Sequence, residues 1–250
     1  MILGRIPISV REELLVHGFG FEPTYLDRDL FLDFAFVQGE GEKEFETEIE
    51  LEWALTRRLG LVVELPFIER YPSSGSTVSG FGDIAIAPRA MIYEGKRFIV
   101  SANLEVSLPT GSKSKGFGGE EVSLAPSVST WFDLGHRTTM LTQFGYETGI
   151  ESGDSEFFYS AAFTHSIFTR SGDTSNDLIH FPAGMLNFIT EFTGRTGTNG
   201  PGEDESSAEL LFGLSYLLDT NWEVRGAYQF PVIGNTEFEK AVIVGMIYHF

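Results

Sequence analysis

The sequence predicts an all-β chain: a single antiparallel, up-and-down barrel of about twelve strands that crosses a membrane. Strict alternation is the first observation behind this. Alternate residues from Phe45 read Phe45, Thr47, Ile49, Leu51, Trp53 and Leu55, while those between are Glu44, Glu46, Glu48, Glu50, Glu52 and Ala54. After Thr56-Arg57-Arg58 the pattern resumes with Leu59, Leu61, Val63, Leu65 and Phe67, interleaved with Gly60 and Glu64. A helix would spread those glutamates around its whole surface; period two is a strand hairpin with one apolar and one acidic face. Strand length is the second. Most candidate segments run for about ten residues or more, which suits tilted strands in a bilayer, whereas ordinary strands run about five or six. The third is that the connections alternate in kind, tight on one rim and long on the other.

In chain order, residues 1–27 form an N-terminal periplasmic segment, loosely attached or a short lead-in, and residues 28–250 the barrel. Ser9 followed by Glu12 has the spacing of a capping box and starts a short helix that His17-Gly18-Phe19-Gly20 ends. Met1 to Arg5 show no basic-then-apolar export pattern, so an export signal is expected to have been removed or to lie outside this sequence. Alternation starts at Asp29, with Leu30, Leu32, Phe34 and Phe36 on one side and Phe31, Asp33, Ala35 and Val37 on the other. The strand over 83–93 sets Ile84, Ile86, Ala90 and Ile92 against Asp83, Ala85, Arg89 and Met91, with Pro88 placed at a bulge or edge. The next sets Phe98, Val100, Ala102, Leu104, Val106 and Leu108 against Ser101, Asn103, Glu105 and Ser107. Further strands follow over 122–132, 138–146, 157–167, 182–192, 210–216, 222–230 and 238–250. Tight turns fall at 56–58, 94–97, 133–136 and 219–221; the stretches 71–79, 111–120 and 194–207 read as long loops. The connection over 170–177 is longer than its rim requires.

Lipid belongs outside the barrel. Aromatics cluster near strand ends on the apolar face (Trp53, Phe67, Phe98, Phe132, Tyr146, Tyr216, Trp222, Phe230, Tyr248), where an interfacial girdle sits. The opposite face mixes Gly, Ser and Ala with charged residues, as a packed or watery lumen does. A soluble twelve-stranded barrel would also have to fill a very wide apolar interior. No run of apolar residues is long enough for a membrane-spanning helix. With 36 acidic against 17 basic side chains, net charge −19, the chain lacks the basic surface of a nucleic-acid partner. The absence of cysteine leaves no disulfide framework to read.

Two short motifs carry a resemblance. Gly80-Phe81-Gly82-Asp83 leads a strand, and the next strand ends in Leu108-Pro109-Thr110-Gly111. This is similar to the outer-membrane family labelled phenol meta-pathway degradation, or MetA-pathway transporter-like. The last residues, Gly245-Met246-Ile247-Tyr248-His249-Phe250, resemble the assembly signal of bacterial outer-membrane proteins, with Gly245, Tyr248 and Phe250 as its marks. The resemblance covers about residues 80–132 plus the C-terminal strand. It implies a barrel of the bacterial outer membrane, in contact with lipid, lipopolysaccharide and the barrel-assembly machinery, that passes small molecules, often hydrophobic. Gly80, Gly82, Asp83, Pro109 and Gly111 are assigned a structural role at the rim: glycine tolerates unusual backbone angles, and aspartate bonds nearby amides.

If the polar face lines a lumen, Glu46, Glu48, Glu50, Glu52 and Glu64 form an acidic strip. Glu105, Glu147, Glu191, Glu209 and Glu223 extend it, and Arg89 and Arg225 are its counter-charges. Rings of acid select cations, so one reading is a passive channel for small, hydrophobic or cationic solutes. The alternative is a lumen packed shut by Glu–Arg networks in a structural or surface barrel. A third reading, an outer-membrane enzyme, has little behind it. His165 and Ser166 are neighbours and point to opposite faces, and His136, His180 and His249 read as incidental. No catalytic residue, cofactor or metal is assigned, and the acidic loops near 151–156 and 203–205 read as solvated rather than as calcium sites.

Overall fold

A computed structural model of the chain describes residues 15–20, 24–39, 41–167, 184–234 and 238–250. The helix expected to begin at Ser9, the connection over 170–177 and His180 lie outside them. Thirteen strands follow one another among the described residues: β1 (Arg28–Gly39), β2 (Glu42–Ala54), β3 (Leu59–Pro72), β4 (Val78–Phe81), β5 (Ile84–Glu94), β6 (Phe98–Leu108), β7 (Ser123–Gly135), β8 (Thr138–Gly149), β9 (Ser155–Ser166), β10 (Leu186–Asn199), β11 (Ser206–Leu217), β12 (Trp222–Ile233) and β13 (Lys240–His249). Every pairing between these strands is antiparallel. β1 pairs with both β2 and β13, and β2 with β3, so twelve strands close a ring. The short β4 only extends the pairing along the outer end of β3, ahead of β5. Closure leaves no open edge in the ring, which hydrocarbon demands because it offers no water to unpaired backbone groups.

The alternation sorts the side chains as the sequence predicts. On the outside, Phe36, Leu55, Phe144, Phe212 and Val244 are each at least half exposed, a belt that only lipid can cover. Aromatics gather at the short-turn rim across the ends of β12, β13, β1 and β2. The Trp222 and Tyr248 rings lie 4.8 Å apart, Tyr248 and Phe250 5.1 Å, and Trp53 and Phe250 5.4 Å. Phe250 thus packs on the seam between the first and last strands, its amide donating to Arg28 O at 3.0 Å.

Three sequence expectations need correction. β10 begins at Leu186 and runs to Asn199, well into the stretch read as a loop over 194–207. The Gly194, Gly197 and Thr repeats there look like loop, yet Gly194 is paired with Tyr159 in the sheet, whose ring occupies the space a side chain would need. The loop over 71–79 likewise gives way to strand at both ends, with β3 reaching Pro72 and β4 starting at Val78. The third concerns the described residues of the N-terminal segment, 15–20 and 24–27. They are not loosely attached outside the barrel, because Leu15, Val16, His17, Thr24, Tyr25 and Leu26 are buried.

Candidate functional site

The lumen is built from the inward residue of every second strand position. On β2 these are Glu44, Glu46, Glu48, Glu50 and Glu52; the paired positions on β3 are Arg70, Ile68, Pro66, Glu64 and Val62. Glu50 faces Glu64 directly across the hairpin, and one carboxylate oxygen from each of Glu48, Glu50 and Glu64 lies within 4.8 Å of the others. Around them lies a chamber of about 300 Å³ lined by six carboxylates (Glu48, Glu50, Glu52, Glu64, Glu105, Glu147) and two guanidiniums (Arg195, Arg225), with Phe19, Phe31 and Phe158 among its apolar walls. Glu46 lines a smaller recess beside Asp33, Gln229 and Phe19.

Toward the long loops the chamber meets a wide vestibule of about 1080 Å³; Glu147 and Arg195 line both. Ser123 Oγ donates to Glu147 Oε1 at 2.9 Å, and Arg195 Nη1 stands 3.6 Å from Glu147 Oε2 and in close ion-pair contact with Glu156. The loops over this mouth are tied by carboxylates. Asp83 Oδ1 accepts the Gly111 amide at 2.8 Å and Oδ2 the Gly119 amide at 2.6 Å, while the Ile84 amide donates to Thr110 Oγ1 at 3.0 Å. A side chain at Gly80 would meet Ser112 Oγ at 2.6 Å, and one at Gly82 would meet Pro66 at 2.9 Å, so these glycines are sites of close approach. Gly111 is pressed against Phe117 O, and Pro109 is exposed beside it. Glu121 accepts from the Ser152 hydroxyl and from the Ser152 and Glu151 amides, and those bonds hold its carboxyl below the ordinary glutamate range.

The short-turn end is filled. Leu15, Tyr25 and Leu26 pack with Ala54, Met91, Ile99, Trp131, Leu141 and Ala162 in one apolar cluster, and Tyr25, Ile99, Trp131 and Leu141 have no exposure at all. The wall is shaped to receive this segment: a side chain at Gly60 would strike Leu26, and one at Gly213 would strike Phe19. Polar ties hold it. Glu191 accepts the Phe19 amide at 2.7 Å and the Gly20 amide at 3.1 Å. Arg89 Nη1 donates to Tyr25 O at 3.1 Å, its Nε to Asn103 Oδ1 at 3.0 Å, and Glu52 lies 3.5 Å away. Ser101 Oγ donates to Thr24 O.

Arg225 is the other tie. Its Nη1 donates to Gly18 O at 2.7 Å, its plane lies between the Phe19 and Phe31 rings, and it pairs with Asp33 on β1 by reaching across β13. The residue it crosses is Gly245, opposite both partners in register. Any side chain there would displace Asp33.

The structure therefore divides the expected acidic strip. Glu48, Glu50, Glu64, Glu105 and Glu147 stay on the chamber wall, and so does Glu52, which Arg89 also engages. Glu191 and Glu223 are instead engaged by the Phe19 and Gly20 amides and by His249, while Glu209 accepts from Gln229. Arg89 and Arg225 are counter-charges as expected, Arg89 to Glu52 and Arg225 to Asp33, and both also anchor the N-terminal segment. His249 is not incidental: it is fully buried, with Nδ1 2.8 Å from Asp29 Oδ1, and His17 Nε2 lies 3.0 Å from Asp29 Oδ2. His165 and Ser166 do face opposite ways, the ring bonding Thr138 Oγ1 on the outer face and the hydroxyl donating to Asn187 Oδ1 inside. Arg195 escaped the sequence reading because its surroundings resemble loop. Asp33 is placed by parity on the Phe31 face of β1 but without a role; two acids, Asp29 and Asp33, on either side of Phe31 at lumenal positions were the available signal.

The model of the family described as "Putative MetA-pathway of phenol degradation" matches residues 32–241. No curated protein sequence matches the chain. Many solved structures share its fold, among them the following three. The COG4313 outer membrane channel from Pseudomonas putida F1 superposes with a TM-score of 0.64 at 12% identity, over 94% of this chain and 100% of that one. The NanC porin gives 0.61 at 10% identity, over 88% and 99%. The KdgM porin, in complex with disordered oligogalacturonate, gives 0.57 at 11% identity, over 88% and 99%.

Proposed function

The chain belongs to this family and folds as a barrel of the bacterial outer membrane, and from that premise we propose that it is a channel for small solutes that favours cations. The observation that carries the reading is the chamber of six carboxylates and two guanidiniums, both of the latter engaged by acids of their own. Acidic rings in a confined, low-dielectric passage attract cations and repel anions. The N-terminal segment is then a gate, since it fills the end of the lumen opposite the vestibule. The solved relatives are in the main channels and porins, which supports transport over catalysis. The lipid-facing belt and aromatic rim fit contact with outer-membrane lipid, and the C-terminal strand fits handling by an assembly machinery.

A second reading, a barrel with a permanently closed core, is favoured by the apolar cluster around Trp131. Swelling of proteoliposomes in isosmotic solutes of one size separates the two. The channel admits cationic solutes faster than neutral ones and neutral faster than anionic, and Glu48→Gln with Glu50→Gln narrows the difference. Absence of swelling for every solute, in protein that still shows heat-modifiable migration on a gel, establishes the closed core.

A further inference from the structure

Where the N-terminal segment meets the barrel wall, four side chains from four separate elements converge: His17 from the segment, Asp29 from β1, Glu223 from β12 and His249 from β13. None is more than 2% exposed. The two imidazoles stack with centroids 5.9 Å apart and planes 29° from parallel, with Asp29 shared between them. One donor atom from each of His17, Asp29 and His249 lies within 4.8 Å of the others, and Glu223 Oε2 stands 3.4 Å from His249 Nε2.

The hydrogen bonding of this group is incomplete. Neither ring nitrogen of His17 has an assigned hydrogen-bond partner, nor does Asp29 Oδ2, although His17 Nε2 and Asp29 Oδ2 stand 3.0 Å apart in ion-pair contact. Glu223 Oε1 is unbonded as well. Buried imidazole and carboxylate groups are nearly always satisfied, and a bare pair at this spacing asks for another occupant between them. Apolar neighbours enclose it: the edges of Tyr25 and Phe31 approach His17 with centroids 5.2 and 5.0 Å away. Two imidazoles with one or two carboxylates is the donor set of zinc and similar divalent transition ions, whereas calcium and magnesium take oxygen donors.

We propose that His17, Asp29 and His249, with Glu223 as fourth ligand or as hydrogen-bond partner of His249, bind a divalent transition-metal cation that staples the N-terminal segment to the barrel wall. The inference is independent of whether any solute passes. Because His17 alone belongs to the segment, metal binding would hold residues 15–20 in place while the barrel itself needs no metal to close.

Cobalt(II) titration of the full-length, refolded and chelator-treated barrel in micelles tests this. The expected result is one ion per chain, visible as intense ligand-field absorption of low-coordinate cobalt, displaced by zinc and lost in His17→Gln while heat-modifiable migration is kept. Protease cleavage within residues 15–20 should also slow when metal is added to the wild type and not to His17→Gln. Absence of stoichiometric binding by the folded wild type, or binding unchanged in both His17→Gln and Asp29→Asn, overturns the proposal. Should His249→Gln fail to fold, the His17 variant still decides the matter, since it lies outside every strand.

Discussion

Gly245 bears directly on how the barrel holds its N-terminal segment. In Gly245→Ala the new methyl would lie 2.8 Å from Asp33 Cγ and 3.0 Å from Leu32 O, against about 3.5–4.0 Å for ordinary carbon contacts. The methyl would overlap Asp33 Oδ1, so Asp33 must retreat by more than about 1 Å. That stretches the 2.9 Å bond between Arg225 Nε and Asp33 Oδ1 out of hydrogen-bonding range. The side chains are only 4% and 15% exposed, so water compensates little. Breaking a buried pair outright costs about 3–5 kcal/mol. Here Arg225 keeps Gly18 O and its two phenylalanine rings, so the expected loss is about 2–3 kcal/mol, one to two charged hydrogen bonds. Urea unfolding of vesicle-inserted protein, followed by tryptophan fluorescence, measures it. The same substitution in an Asp33→Ser background should cost less than about 1 kcal/mol, because the group it displaces has gone. An equal cost in both backgrounds, or none in the wild type, refutes the steric reasoning.

Three further outcomes are expected. Glu191→Ala removes the acceptor of the Phe19 and Gly20 amides; losing two bonds to a charged group, about 3 kcal/mol in all, should speed protease cleavage within residues 15–20 by about 100-fold with global unfolding little changed. Asp83→Ala releases the amides of Gly111 and Gly119, so their hydrogen-exchange protection should fall by about tenfold while the strands keep theirs. Glu121 sits below its ordinary range because Ser152 and Glu151 bond its ionised form. Its clamp is therefore complete above the unfolded-state glutamate value and is lost as pH falls through the depressed one. Protection of the Glu151 and Ser152 amides, corrected for intrinsic exchange, should follow that course and become independent of pH in Glu121→Gln.

Much of the wall was legible in the sequence, because a strand's two faces are separated by parity alone: Glu48 and Glu50 could only face away from Ile49 and Leu51. Strand ends were less legible where glycine and threonine occupy paired positions, as at Gly194 and Gly197. What parity cannot give is the third dimension. His17, Asp29 and His249 are brought together by closure of the ring and entry of the segment, and no spacing along the chain records either. For the same reason Arg89 and Arg225 could be read as counter-charges of the lumenal acids but not as ties to the segment, where they donate to the carbonyls of Tyr25 and Gly18. The clue left in the sequence was small residues at wall positions, Gly60 and Gly213, where side chains from the segment are received.

The most direct measurement is single-channel recording in a planar bilayer under a salt gradient, comparing wild type with Glu191→Ala and with Glu48→Gln plus Glu50→Gln. A cation-favouring reversal potential is predicted, with more frequent openings in Glu191→Ala and weakened selectivity in the double variant. Anion-favouring currents, or no current from wild type and Glu191→Ala when both are folded and inserted, would contradict an acidic passage gated by the N-terminal segment.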